Sequence, residues 1–186
     1  LNTIFLRMIL KGKYRRRSPR GGGGSAATRV AACFADLGHT VVNVNTDEPG
    51  VETITAGDAP IHEEGLAELI AEHAGPEGTG RLQATTDYAA VLDTDVTFLC
   101  LPTPQNDDGS IDLSIMEAGA SQLGQTLVDK PDWHTVVVKS TVVPGSTADT
   151  ITPILERESG KTAGEAFGVG MNPEFLREGT AVRDFL

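Results

Sequence analysis

Cysteine is scarce in this sequence, and long apolar runs are absent. Its two cysteines, Cys33 and Cys100, each lie inside a short apolar run. They do not provide a disulfide framework, and we expect each to be a small buried residue. No apolar run reaches 18 residues, the length that predicts a membrane span. The segment "LNTIFLRMIL" precedes basic residues, the reverse of a secretory signal, so we expect a cytoplasmic protein without a membrane partner.

Basic residues are scarce after position 20. Residues 1–20 hold seven Lys and Arg and no acid, whereas residues 21–186 hold eight basic residues against 26 acidic ones. We expect no nucleic-acid partner for so acidic a domain, because such binding depends on neutralising phosphates. The acidity is typical of proteins from salt-loving microbes, in which dense counterions screen surface repulsion.

The basic segment 1–20 has two interpretations. It is either a tail that binds nucleic acid or anionic lipid, or a misannotated start or frame-shifted tract. In both cases we expect it to lie outside the core of a single domain that spans residues 21–186.

Helix-like and strand-like segments alternate from Gly21 onward. Ala27, Val30 and Phe34 share one face of a predicted helix, which Gly38 ends. Further helices are predicted in "VETITAG", "EEGLAELIAEHAG", "SIMEAGASQLGQTLVD" and "STADTITPILERESG", and strands in "TVVNV", "RLQATTD", "DVTFLCL", "HTVVVKSTVV" and "AFGVGMNPEF". This alternation predicts βαβ crossovers and an α/β fold with a doubly wound, mostly parallel, Rossmann-like sheet.

A glycine-rich segment directly precedes the first helix. Gly22, Gly24 and Ala27 match the form G-x-G-x-x-G/A of a dinucleotide-binding turn. The first glycine allows a tight turn, the second lets backbone N–H groups approach a diphosphate, and the small third residue lets the helix pack on a strand. Four consecutive glycines also occur in flexible linkers, so this pattern alone is weak.

The residue expected to hold the adenosine ribose is Asn45, which follows the strand "TVVNV". An acidic residue is usual at this place in sites for NAD. Asparagine can bond a ribose hydroxyl but lacks the charge that repels a 2′-phosphate, so the choice between NAD and NADP stays open. Asn45 is equally suited to a turn after the strand.

The strand expected before the glycines is atypical or missing. "KYRRRSPR" cannot fill a central strand, because it would bury several charges and a proline. "TIFLRMIL" is a possible strand but ends at Leu10, far from Gly22. Either this segment is recruited through a bulged connection or the sheet lacks its middle, and we expect low stability and weakened cofactor binding.

Six phrases, in this order and spacing, carry a resemblance to a known family: "VAACFADLGHTVVNV", "APIHEEGLAELI", "GRLQATTD", "FLCLPTPQNDDGSIDLS", "VVVKSTVVPGST" and "GVGMNPEFLREGTAVRDF". Residues 22–186 resemble the N-terminal NAD-binding domain of the UDP-glucose/GDP-mannose dehydrogenases. The resemblance implies NAD as cofactor, a UDP- or GDP-sugar such as UDP-glucose as substrate, and homodimers in full-length relatives. It implies oxidation to the uronate in two hydride transfers through a cysteine thioester.

The resemblance also implies roles for individual residues. Thr103 and Thr141 are similar to cofactor-contacting threonines, and Thr103 is a catalytic candidate as well. Glu174 is similar to the glutamate that contacts cofactor and substrate and handles water or protons in catalysis. Substrate would be received by Glu174, Phe175, Leu176, Arg177 and Glu178. The alternatives are a turn cap for Thr103 and a local ion pair for Arg177 with Glu178.

The resemblance implies that the catalytic cysteine of the family would lie beyond Leu186, and neither cysteine of this chain matches its motif. We therefore expect no turnover of UDP-glucose by this chain alone. The alternative function is a truncated, non-catalytic remnant or interaction domain that binds no cofactor. No metal site is expected, because His62, Glu63, Glu64 and His73 lack tight ligand spacing and are interpreted as helix surface.

Overall fold

One sheet of six parallel strands forms the centre of the molecule. The computed structural model describes residues 5–10, 23–173, 177 and 179–186, with side chains from residue 26 onward. The strand order is β3-β2-β1-β4-β5-β6, that of a doubly wound fold. The strands are β1 Phe5–Leu10, β2 Thr40–Asn45, β3 Leu82–Thr85, β4 Val96–Leu99, β5 His134–Val138 and β6 Phe167–Met171.

Of the six α-helices in the described residues, the first five overlap segments that the sequence predicts to be helical, whereas the sixth was not predicted. They are α1 Gly23–Asp36, α2 Glu48–Thr55, α3 Leu66–His73, α4 Ser114–Leu127, α5 Thr152–Ser159 and α6 Ala181–Phe185. A 3₁₀ helix spans Tyr88–Asp93, and a π-helical turn, Thr147–Ile151, leads into α5. Gly38 follows α1 with a φ of 95°, a conformation that favours glycine. Among the described residues, no helix is long and apolar enough to cross a membrane.

The position of β1 corrects the prediction that all of residues 1–20 lie outside the core. Phe5–Leu10 runs between β2 and β4, and Leu6 pairs with both Val41 and Val96. The segment is recruited because it is the apolar stretch nearest to α1, and a central strand needs apolar residues on both faces. The residues that link Leu10 to α1 lie outside the described part of the chain.

The helices in the connections between strands cover both faces of the sheet. The right-handed crossovers from β1 to β2, through α1, and from β4 to β5, through α4, run in opposite directions across the sheet and so place the two helices on opposite faces. On one face, α1 buries Ala27, Val30 and Ala31 completely. On the other, α4 and α5 approach closely at Gly124, where a Cβ would lie 2.7 Å from the Cβ of Glu158.

Candidate functional site

The carboxyl edge of the sheet gathers most of the predicted site residues. Because all strands are parallel, the loops after β2, β4, β5 and β6 leave the sheet at this one edge. The β1–α1 crossover also brings the amino end of α1 there. Ligands of open α/β sheets bind at such edges, at the point where the strand order reverses. Here that point lies between β1 and β4.

The amino end of α1 supplies backbone donors at this edge. The helix begins at Gly23, so Gly24 lies in its first turn, whereas the sequence predicted a turn before the helix. The first four N–H groups of a helix have no intrahelical partner and carry its positive dipole end. Ala27 is fully buried, as packing of the helix on the sheet requires. These donors fit a diphosphate, and Gly22 lies outside the described residues.

Asn45 forms the turn that was one of its two predicted roles. Its Oδ1 accepts a hydrogen bond of 3.0 Å from the backbone N–H of Asp47. The turn is tight, because a Cβ at Gly50 would lie 2.8 Å from Oδ2 of Asp47. The bond uses the side-chain oxygen and not the amide nitrogen, which is the donor a ribose oxygen would accept from. The ribose contact therefore stays a prediction.

Ser140, which sequence reasoning missed, joins the loops that carry Thr103 and Thr141. The N–H of Leu101 donates to Ser140 Oγ at 2.9 Å, and the Ser140 hydroxyl lies 2.8 Å from the Leu101 carbonyl oxygen. Strand β4 consequently ends at Leu99, before the predicted end at Leu101. Thr103 is half-buried and Thr141 is exposed. Their cofactor contacts stay predictions.

Lys139, to which sequence reasoning gave no role, ties β5 to the residue after β6. It is 7% exposed, and its Nζ donates to Asn172 Oδ1 at 2.9 Å. The N–H of Asn172 donates in turn to the carbonyl oxygen of Val138 at 2.9 Å. The signal in the sequence was a lysine directly after a strongly apolar strand, where a buried charge needs a partner.

Arg177 forms an ion pair with Asp184. Its Nε and one Nη donate to the carboxylate of Asp184 at 2.9 and 2.7 Å. These hydrogen bonds, with the charge of Arg177, hold the pKa of Asp184 well below its usual range. The alternative of a local ion pair with Glu178 falls on a residue outside the described part of the chain. The remaining candidates lie outside the described residues and stay predictions: Glu174, Phe175, Leu176 and Glu178.

The sequence interpretation placed Glu63 on a helix surface, and this was wrong. It lies in the loop before α3 and is 5% exposed. Its Oε2 is 2.7 Å from Nε of Arg29, and its Oε1 accepts from the N–H of Ala181 at 3.0 Å. The interpretation failed because both partners are distant in sequence. His62 and Glu64, its neighbours, are exposed and also precede α3.

His73 is likewise buried and not on the helix surface as predicted. It is 4% exposed, with Nδ1 3.0 Å from Thr79 Oγ1 and Nε2 3.4 Å from Asp36 Oδ1. The ring thus ties the end of α3 to the end of α1. Ligand-capable atoms of Asp36, Glu72 and His73 lie within 4.8 Å of one another, and the expected absence of a metal stays a prediction.

Neither cysteine is placed to act as a nucleophile. Cys33 is 0% and Cys100 2% exposed. Burial, reinforced by the nearby charge of Asp36, raises the pKa of the Cys33 thiol to about 12. Because the thiolate is the reactive form, Cys33 is inert at neutral pH. The prediction that both are small buried residues is confirmed.

Comparison with known proteins places these features in a family. Residues 22–186 match the model of the UDP-glucose/GDP-mannose dehydrogenase family, NAD binding domain. The chain is 59% identical over 165 residues to UDP-glucose 6-dehydrogenase AglM of Haloferax volcanii. That alignment covers 89% of this chain and 37% of the relative, so the chain spans little more than a third of the relative's length.

Solved structures show the same fold. A ternary complex of GDP-mannose dehydrogenase from Pseudomonas aeruginosa superposes with a TM-score of 0.85 at 39% identity, over 97% of this chain and 38% of that one. A UDP-glucose dehydrogenase from the archaeon Pyrobaculum islandicum superposes with a TM-score of 0.83 at 36% identity, over 99% and 39% of the two chains. These matches confirm the predicted parallel α/β fold.

Proposed function

Since the chain belongs to the UDP-glucose/GDP-mannose dehydrogenase family and spans its NAD-binding domain, we propose that it forms the NAD-binding portion of a nucleotide-sugar 6-dehydrogenase. The observation that carries the proposal is the meeting of α1 with the loops of Thr103 and Thr141 at one edge of the sheet. The free N–H groups of α1 bind the diphosphate, and the side-chain amide of Asn45 binds the adenosine ribose.

The other half of the cofactor lies over β4, β5 and β6 in this proposal. Each half of a doubly wound sheet takes one mononucleotide, and β2 already takes the adenosine. Thr103 and Thr141 then donate hydroxyl hydrogen bonds to the second half. NAD, when bound, supplies the hydride acceptor for oxidation of the sugar alcohol.

The substrate proposed for the whole enzyme is UDP-glucose. The support is the name of the Haloferax relative, a UDP-glucose 6-dehydrogenase at 59% identity, while related UDP- and GDP-sugars are the alternatives. Glu174 serves there as the group that handles water or protons, and the segment from Phe175 to Glu178 receives the sugar nucleotide. The acidity of residues 21–186 and this relative together support a salt-adapted protein.

Titration of NAD against the purified chain in concentrated salt tests the proposal. We expect saturable binding, and we expect Thr141→Ala to weaken it roughly two- to tenfold, because one hydrogen bond is lost. Thr55→Ala is the matched control, since Thr55 is an exposed threonine that bonds only its own helix at Val51. Absence of NAD binding by the folded wild-type chain would contradict the proposal and favour a remnant that binds no cofactor.

A further inference from the structure

A buried ion pair links α1 to the loop before α3. Nε of Arg29 lies 2.7 Å from Oε2 of Glu63, and the two side chains are only 10% and 1% exposed. Replacing such a pair with apolar residues is often neutral for stability, whereas removing one partner is costly. A contribution to stability therefore does not explain why a charged pair is buried here. The other contacts of the two residues indicate what the pair does.

The second oxygen of Glu63 reaches the carboxyl-terminal part of the chain. Oε1 accepts a hydrogen bond of 3.0 Å from the N–H of Ala181, 118 residues away. The carboxylate also accepts from the backbone N–H of Gly179. Ala181 is the first residue of α6 and is completely buried. Arg29 thus forms an ion pair with the Glu63 carboxylate, and this carboxylate accepts hydrogen bonds from the backbone at residues 179–181.

These residues stand at the end of the segment that follows β6. Its beginning is held as well, because Lys139 at the end of β5 donates to Asn172. A buried charged side chain from elsewhere in the fold therefore secures each end of residues 172–181. The segment contains the candidates Glu174 to Glu178, and its start and end are fixed independently of a bound ligand.

We propose that Glu63, oriented by Arg29, is a positioning residue that sets the end of the segment 172–181 relative to α1. This inference rests on the proposed function, in which α1 binds the cofactor diphosphate and the segment supplies Glu174, for which the family resemblance implies a cofactor contact. Because the segment follows β6, Glu63 acts on the half of the site over β4, β5 and β6. The half over β2, where adenosine binds, is independent of Glu63.

The double variant Arg29→Met/Glu63→Leu tests this role in the full chain. It removes both charges together and leaves no acceptor for the N–H groups of Gly179 and Ala181. The measurements are the melting temperature, hydrogen exchange at those two amides, and the dissociation constants of NAD and ADP-ribose. ADP-ribose keeps the adenosine, diphosphate and second ribose but lacks nicotinamide. Glu64→Gln is the matched control, since Glu64 is the exposed neighbour of Glu63.

We expect the double variant to melt below the wild-type temperature, because the N–H groups of Gly179 and Ala181 lose their acceptor, and to exchange these two amides about tenfold faster. NAD should bind severalfold more weakly, whereas the affinity for ADP-ribose should change less than twofold. If the double variant fails to fold, Glu63→Gln keeps the side-chain shape and one acceptor oxygen. In that variant the same two amides should still exchange faster than in Glu64→Gln.

Two results would overturn the inference. One is unchanged exchange at Gly179 and Ala181 in every folded variant. The other is an equal loss of affinity for NAD and ADP-ribose, which indicates general damage to the domain. A wild-type chain that binds no NAD would contradict the proposed function instead, and the exchange rates would then still decide whether Glu63 holds residues 179–181.

Discussion

Burial determines what the reactive side chains of this molecule do. Cys33, Glu63 and His73 are all residue types found in active sites, yet each is less than a tenth exposed. The cysteines could be interpreted from the sequence, because both lie within apolar runs. The roles of Glu63 and His73 could not be interpreted in this way, because their partners Arg29 and Asp36 lie on α1, far away in the sequence. The spacing of residues along the chain does not reveal such long-range contacts.

Thiol labelling tests the inertness of Cys33. In Cys100→Ala, Cys33 is the only cysteine, and we expect iodoacetamide at pH 8 to label it at least about a hundredfold more slowly in the folded chain than in urea. The reason is a raised pKa of about 12 together with burial, which leave little accessible thiolate. In Cys33→Ala, the same measurement gives the labelling rate of Cys100. Equal rates in the folded and unfolded chain would show that Cys33 is accessible.

Among the elements, periodicity predicted α4, α5 and the strongly apolar strands well. The end of β4 was misplaced because Cys100 and Leu101 continue the apolar run, while the backbone N–H of Leu101 donates to the Ser140 side chain. Strand β1 was left undecided, since its place depends on pairing with β2 and β4. Long-range pairing of this kind has no local signal.

The contact between α4 and α5 gives a prediction at this scale. Gly124→Val should lower the free energy of unfolding by about 1–3 kcal/mol through overpacking. A Cβ at Gly124 would lie 2.7 Å from Glu158 Cβ and 3.3 Å from the Leu155 carbonyl oxygen. Ala118→Val, on the exposed face of the same helix, is the control for the cost of a β-branched residue. Urea unfolding measures both, and equal losses would indicate that α4 and α5 separate freely.

The whole molecule carries a formal charge of −11 at pH 7, and one buried acid gives it a specific pH response. Burial raises the pKa of Glu63, but hydrogen bonds from Ala181 and Gly179 and the charge of Arg29 outweigh this and lower it below the ordinary 4.5. A depressed pKa in the folded state contributes stability above the unfolded value. That contribution disappears as the pH falls through the folded pKa.

Melting temperatures of the wild type and Glu63→Gln between pH 7 and pH 3 test this response. We expect the wild type to be more stable at pH 7 and the difference to shrink below about pH 4.5, as the native carboxylate becomes protonated. Glu64→Gln should follow the wild type throughout. A difference between wild type and Glu63→Gln that stays constant down to pH 3 would mean that Glu63 titrates alike in the folded and unfolded chain.

The central place of β1 has a consequence for the two nucleotide-binding halves. Within the described sheet, β1 alone pairs with both β2 and β4, so the interstrand backbone bonds that join one half to the other run through Phe5–Leu10. A chain that started at Gly23 would keep the sequence of every described helix and of the other five strands. It would lose the backbone hydrogen bonds that join the two halves of the sheet. The distance between the proposed adenosine and nicotinamide sites would then depend on side-chain packing.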